Sequence, residues 1–268
     1  MKLVNKGPIP EMLQNYLLSN PDATWEEMSN DAMGGGSVAV HACRDQAIRD
    51  QKGLCAYCEQ AISVQDPLHR RIEHYHPKSD RTGNHNWSLD WDNMLATCDG
   101  GSASLGEERS LHPLPDNLSC DAHKDRMIQS GKLPADCEGY LLNPLTIPVY
   151  PNLFALDKGT GYIKPNESSC AIVDIVDNVF ETTAMLISQT IAVLNLNCER
   201  LAEKRRLVVI DVDRNKKHLR EKGFTPTESQ EKLLDRYFSV EWPAFFTTLR
   251  CCFGNIVEDY LQSRNYNG

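Results

Sequence analysis

Residues 53–140 constrain this chain more than any other stretch. They are rich in Cys, His, Asp, Gly and Pro and poor in long apolar periods. A segment with so little apolar surface must be tied together in another way, and a bound metal ion is the most economical device. Cys55-Ala56-Tyr57-Cys58 is the first donor set. Two thiolates separated by two residues can grip one Zn²⁺ from a tight turn. The same spacing suits a thioredoxin-type redox pair, but that reading needs a strand–helix–strand setting, and the pattern before Cys55 is helical. Cys98 and Cys120 follow, and four thiolates make a closed tetrahedral structural site. Cys137, His112 and His123 compete for the fourth place. The alternative is a set of unliganded, buried cysteines.

Composition sets the surroundings. A chain of 268 residues holds one large domain or two modest ones. No apolar run approaches the ~20 residues that span a bilayer, and Met1 to Glu11 lacks the apolar core of a signal peptide. The expectation is a soluble protein of the reducing cytoplasm, where a close cysteine pair favours metal or redox chemistry over a structural disulfide. The formal net charge is −9, and the excess of acid sits mostly in residues 1–140. A free-standing nucleic-acid binder usually carries a basic surface, so any grip on phosphate here needs a local basic strip or a partner.

The chain divides into three parts. Residues 1–52 read as helices: Pro10 opens one, Thr24 and Glu27 form a capping box for a second, and Ser37–Lys52 is a third. Gly34-Gly35-Gly36 is a break and lacks the pattern of a phosphate loop. Residues 53–140 are the cysteine-rich core. Residues 141–268 read as a mostly helical domain, with a strand over Ala171–Val176, a long helical pattern from Asp177 to Leu219 divided near Asn195-Leu196-Asn197, and final helices near 227–239 and 243–263. The fold class is α+β, mostly helical.

Between the cysteines lies Arg71-Ile72-Glu73-His74-Tyr75-His76-Pro77-Lys78-Ser79. An acidic residue followed by His is a compact catalytic arrangement, since a neutral imidazole takes a proton from water near neutral pH. In a strand the two side chains point to opposite faces, so a shared centre needs a twist or an exit, which Pro77 signals. Taken alone the tripeptide favours a solvated surface pair. It is followed by Asp90-Trp91-Asp92-Asn93-Met94-Leu95-Ala96-Thr97-Cys98 and Cys120-Asp121-Ala122-His123-Lys124. In this order the chain resembles the HNH nuclease family, and most closely the HNH subunits of Septu-type anti-phage systems (PtuB-like), including those beside retrons.

The resemblance covers residues 49–128 and implies a zinc-stapled ββα-metal core flanked by helices. It makes His74 the general base, Glu73 an acidic ligand of the catalytic Mg²⁺ or Mn²⁺, Asn93 the brace of the loop between the strands, and Asp121 the third catalytic position. It makes Cys55, Cys58, Cys98 and Cys120 the structural zinc ligands. Two departures stand out: Asp99 to Ser119 separates the last two cysteines as an inserted loop, and Asp121 stands where the family has His or Asn, with His123 as the alternative if the register differs. His76 reads as a spectator. The resemblance also implies a nucleic-acid substrate and an ATPase subunit (PtuA-like) in a hetero-oligomer, with no membrane association. A zinc-ribbon adaptor with degenerate catalytic residues is the competing class. The basic run Arg200, Lys204, Arg205, Arg206, Arg214, Lys216, Lys217, Arg220 and Lys222 reads either as a face for phosphate or an acidic partner, or as a solvated helix.

Overall fold

The computed structural model describes residues 1–80, 84–239 and 242–268. Three helices open the chain: α1 (Glu11–Ser19), α2 (Trp25–Asn30) and α3 (Gly36–Asp50). Thr24 and Glu27 form the expected capping box at the start of α2. The glycine break serves close packing: a side chain at Gly36 would meet the Met28 carbonyl oxygen at 2.3 Å. Ala39, Val40, Cys43, Ala47 and Ile48 give α3 its buried face.

Strands β1 (Arg70–His74) and β2 (Met94–Cys98) form an antiparallel pair, with Glu73 opposite Leu95 and His74 opposite Met94. All five residues of β2 are buried. Helix α4 (Gly106–Leu111) lies in the insertion, and α5 (Cys120–Gln129) follows it. The insertion closes at its neck, where Ser119 N donates to the Gly100 carbonyl at 3.0 Å. That neck explains how cysteines so far apart in sequence still meet. Gly100 (φ 67°) is required there, since a Cβ would lie 2.2 Å from the Ser119 carbonyl oxygen.

The second half holds a hairpin of β3 (Phe154–Leu156) and β4 (Ile163–Pro165), then α6 (Glu167–Cys170), α7 (Thr183–Val193), α8 (Glu199–Glu221), α9 (Pro226–Phe238), α10 (Phe246–Phe253) and α11 (Asn255–Ser263). Three expectations change. Ala171–Val176 is not a strand: it pairs with no other strand among the described residues, and the hairpin lies earlier in the chain. Val173 and Ile175 turn toward the core while Ile172 and Val176 stay exposed, so the strand-like alternation survives without a ladder. The last helix is two helices, broken at Gly254 (φ 62°, ψ −141°). The cysteine-rich region is also less poor in core than its composition suggests. Tyr57, Leu89, Trp91, Met94 and Leu95 join one apolar cluster with α3 and α7. A second cluster packs Val209 and Val212 of α8 against α9, α10 and α11. No described helix is long and apolar enough to cross a membrane.

The neck gives a test. Gly100→Ala forces an L side chain into the left-handed region, which costs ~1–2 kcal/mol, and adds a backbone clash. Gly106→Ala carries the positive φ but opens into free space. Thermal denaturation is expected to show the larger loss of stability for Gly100→Ala.

Candidate active site and metal centre

Cys55 and Cys58 sit in the turn after α3, Cys98 ends β2 and Cys120 begins α5. Three separate segments thus deliver four buried sulfurs to one point. Their Sγ–Sγ separations are 3.8 Å for Cys55–Cys120, 3.7 Å for Cys58–Cys98 and 3.7 Å for Cys98–Cys120. Disulfide sulfurs lie at about 2.05 Å, so these are not bonded pairs. A tetrahedron with metal–sulfur bonds of about 2.3 Å has edges of ~3.8 Å, which these separations match. The donor chemistry fits a thiophilic ion such as Zn²⁺. The other three candidates for the fourth place lie elsewhere. Cys137 Sγ contacts the Tyr75 carbonyl at 3.2 Å, His112 faces Glu203 at 3.4 Å and His123 Nδ1 faces the Val193 carbonyl at 2.7 Å.

Asp121, the residue after Cys120, turns inward beside Glu73 of β1, and both carboxylates are buried. Burial, then the neighbouring charge of Glu73, pushes the Asp121 carboxyl up to about 9. Lys124, one turn further along α5, pairs with Glu73 and reaches the His74 and Tyr75 carbonyls at 3.3 and 3.4 Å. Tyr57, inside the Cys-x-x-Cys turn, donates from its hydroxyl to Glu73 Oε1 at 3.3 Å. Asp121 thus faces Glu73, and His123 faces away toward α7.

His74 ends β1, adjacent to Glu73 in the chain. Its Nε2 lies 3.0 Å from the Ser88 carbonyl oxygen, an acceptor only, so Nε2 carries the proton and Nδ1 is the basic nitrogen. The Trp25 ring packs edge-on against it at 5.1 Å, and the Trp25 N–H donates to Ser88 Oγ at 2.6 Å. Burial lowers the His74 pKa to about 4. Asn93 is buried between the strands. Its Nδ2 donates to the carbonyls of His76 and Trp87 at 3.0 and 2.9 Å, and its Oδ1 accepts from His76 N at 2.6 Å.

His76 is no bystander to the fold. It is 6% exposed, stacks on Trp87 at 3.9 Å, and places Nδ1 and Nε2 each 2.9 Å from Glu138 and Asp80 oxygens. Burial lowers its pKa, but the two carboxylates outweigh that, and the net shift is upward. His76, Asp136 and Glu138 also converge as metal-type donors, yet a 2.9 Å contact on each ring nitrogen is the length of a charge-assisted hydrogen bond to an imidazolium. Of the charged run before the site, His69 lies 3.4 Å from Asp99, Arg70 pairs with Asp45 at 2.9 Å and Arg71 reaches Ser102 at 2.7 Å.

Sequence reasoning missed Tyr57, Ser88 and Trp25, whose roles depend on distant backbone and carry no motif of their own. It also left the basic run of α8 as either one basic face or a solvated helix, both of which place the whole run outside. Arg200 and Arg205 turn inward and are buried, while Arg206, Arg214, Lys217, Arg220 and Lys222 are exposed.

One strand pair and one helix thus set a buried four-cysteine cluster beside paired carboxylates and an oriented imidazole. No family model matches the chain. It is 37% identical over 208 residues to a protein of Escherichia coli named as the HNH endonuclease of retron Ec83, covering 77% of this chain and 78% of the relative. The chain belongs to the HNH endonuclease family.

The two histidines should titrate in opposite senses. A His74 pKa lowered to about 4 lies below the ordinary value of ~6.5, so its contribution to stability is full above that value and is lost as pH falls toward 4. His76, shifted upward, contributes fully below the ordinary value and loses its contribution as pH rises through its folded pKa. Imidazole resonances followed by NMR are expected to show the His74 midpoint well below that of His76; the reverse order would contradict the burial described.

Proposed function

We propose that this chain is a metal-dependent endonuclease in which residues 53–140 form a ββα-metal core, between an N-terminal helical segment (1–52) and a mostly helical C-terminal domain (141–268). The observation that carries the reading is the buried pairing of Glu73 with Asp121 next to a strand end that bears an oriented, neutral His74. Two close oxygen donors suit a hard divalent ion, Mg²⁺ or Mn²⁺, which would stabilise negative charge on the phosphoryl group and the leaving 3′ oxygen. Glu73 and Asp121 hold that ion. His74 takes a proton at Nδ1 from the attacking water, and Ser88 keeps the other nitrogen protonated. Attack in line on phosphorus leaves a 5′-phosphate and a 3′-hydroxyl. Asn93 positions this chemistry by fixing the loop that leaves β1. Cys55, Cys58, Cys98 and Cys120 hold a structural Zn²⁺.

The retron name of the relative supports a role in a defence system. On this reading the chain is a cytoplasmic nuclease effector of the Septu type, working on nucleic acid in a complex with an ATPase subunit. The net charge of −9 supports the partner, because grip on phosphate must be supplied from outside an acidic chain.

Cutting of plasmid DNA and total RNA, with and without the ATPase, tests the reading. His74→Ala is expected to lower the rate by ~10²–10⁴-fold with fold and zinc content intact. Asp121 must lose a proton held up to about 9 before it binds a cation, so the Mg²⁺ needed for half-maximal rate should fall as pH rises from 7 to 9. Wild-type cutting by His74→Ala would sink the assignment. Separately, elemental analysis is expected to give about one zinc per chain, with Cys55→Ser and Cys58→Ser losing metal and solubility while Cys251→Ser keeps both.

A further inference from the structure

Helix α8 sends two arginines into the interior, and neither behaves like a surface charge. Arg200 is 3% exposed and Arg205 2%. The ion pairs of α8 run through Glu203, Lys204, Arg214 and Lys217, and among the described residues neither buried arginine pairs with a carboxylate. A buried cation without an anion is strongly disfavoured. Something nearby must carry the compensating charge.

The contacts of Arg200 show what it is. Its Nη2 donates to Ser119 Oγ at 2.8 Å, and Ser119 precedes Cys120. Its Nη1 donates to Gln60 Oε1 at 3.3 Å, two residues past Cys58. Its Nε lies against Gly101, where a Cβ would come within 2.8 Å, three residues past Cys98. One guanidinium thus touches the flanks of all three segments that deliver the cysteines. Arg205 is held by the carbonyls of Gly161 and Leu196 at 3.1 and 2.5 Å. Burial lowers the Arg200 pKa, but Cys198, Cys58, Cys98 and Cys120 together outweigh it.

We infer that Arg200, assisted by Arg205, is a positioning residue of the four-cysteine centre, supplying the positive charge that offsets its thiolates and tying together the segments that carry them. The inference rests on the zinc reading above. Four thiolates around one Zn²⁺ leave a net charge of 2−, and the two arginines bring 2+. Charge held beside a metal centre commonly changes metal affinity when removed, by ~10–100-fold.

Zinc release from the full chain to a chromophoric chelator tests this, with the charge-transfer band of the Co²⁺-substituted protein as a second readout. Arg200→Met is expected to release zinc at least ~10-fold faster and to shift the cobalt–thiolate band. Arg200→Lys, which keeps the charge but not the planar fork that spans Ser119 and Gln60, should release zinc more slowly than Arg200→Met, and Arg214→Met, on the exposed part of the same helix, should release it as wild type does. A folded Arg200→Met protein with wild-type release overturns the inference. So does Arg200→Lys releasing as fast as Arg200→Met, because the charge would then have no part. Should Arg200→Met fail to fold, Arg200→Lys decides: near-wild-type release supports the inference and release ten times faster overturns it. Wild-type protein without zinc would instead sink the reading of the centre itself.

Discussion

The meeting of four sulfurs fixes the geometry on which the rest of the site depends. Cys98 is the last residue of β2 and Cys120 the first of α5. Holding these two at 3.7 Å sets the distance between the strand pair and the helix. Asp121 follows Cys120 and Glu73 lies on the strand paired with β2, so the same closure brings the two carboxylates together. The Cys-x-x-Cys turn contributes from its other members too. Tyr57 donates to Glu73, while Glu59 binds the Met1 amino group at 3.1 Å and Thr247 at 2.6 Å. One short turn thus connects the carboxylate pair, the start of the chain and its C-terminal helices.

Around that closure the protein places polar groups where burial makes them costly, and those of Asn93 and Ser88 are answered by specific partners. Asn93 satisfies three backbone groups of the loop leaving β1. Ser88 uses its carbonyl to fix the tautomer of His74 and its hydroxyl to hold the start of α2. The N-terminal helices therefore help to orient His74, although no residue of α2 carries a catalytic motif. Trp25 works through shape, packing its edge on an imidazole from which burial removes basicity.

The parts that were legible in the sequence are those in which a local pattern suffices. Cys-x-x-Cys, Glu73-His74 and the capping box of Thr24 and Glu27 each express short-range chemistry, and the helices of the first fifty residues follow from apolar spacing. What was not legible depends on partners far along the chain. Ala171–Val176 has the side chains of a strand, but a strand also needs a neighbour, which no local pattern reveals. Gly254 looks permissive within an apolar helical run, and only the packing of α10 against α11 shows that the chain must turn there. His123 stayed an alternative to Asp121, because the choice depends on which side of α5 faces β1. Cys98 and Cys120 were named across the insertion, but how they meet depends on its neck at Gly100 and Ser119.

The same distinction governs the charge of the molecule. Counting basic residues along α8 suggests a continuous positive face, yet burial removes Arg200 and Arg205 from it, and Lys216 bends inward to the Cys252 carbonyl at 2.9 Å. Elsewhere Lys124 is committed to Glu73, and Lys6 packs over Trp91 with its pKa lowered to about 7 by burial. Several of the 28 lysines and arginines thus stabilise the interior, while the net charge remains −9. Electrostatic affinity for nucleic acid depends on the cations that can reach phosphates, since each such contact releases counterions. Internal use of positive charge therefore leaves fewer cations on the surface. In a chain built this way, fewer cations remain at the surface to reach phosphates than the count of basic residues suggests.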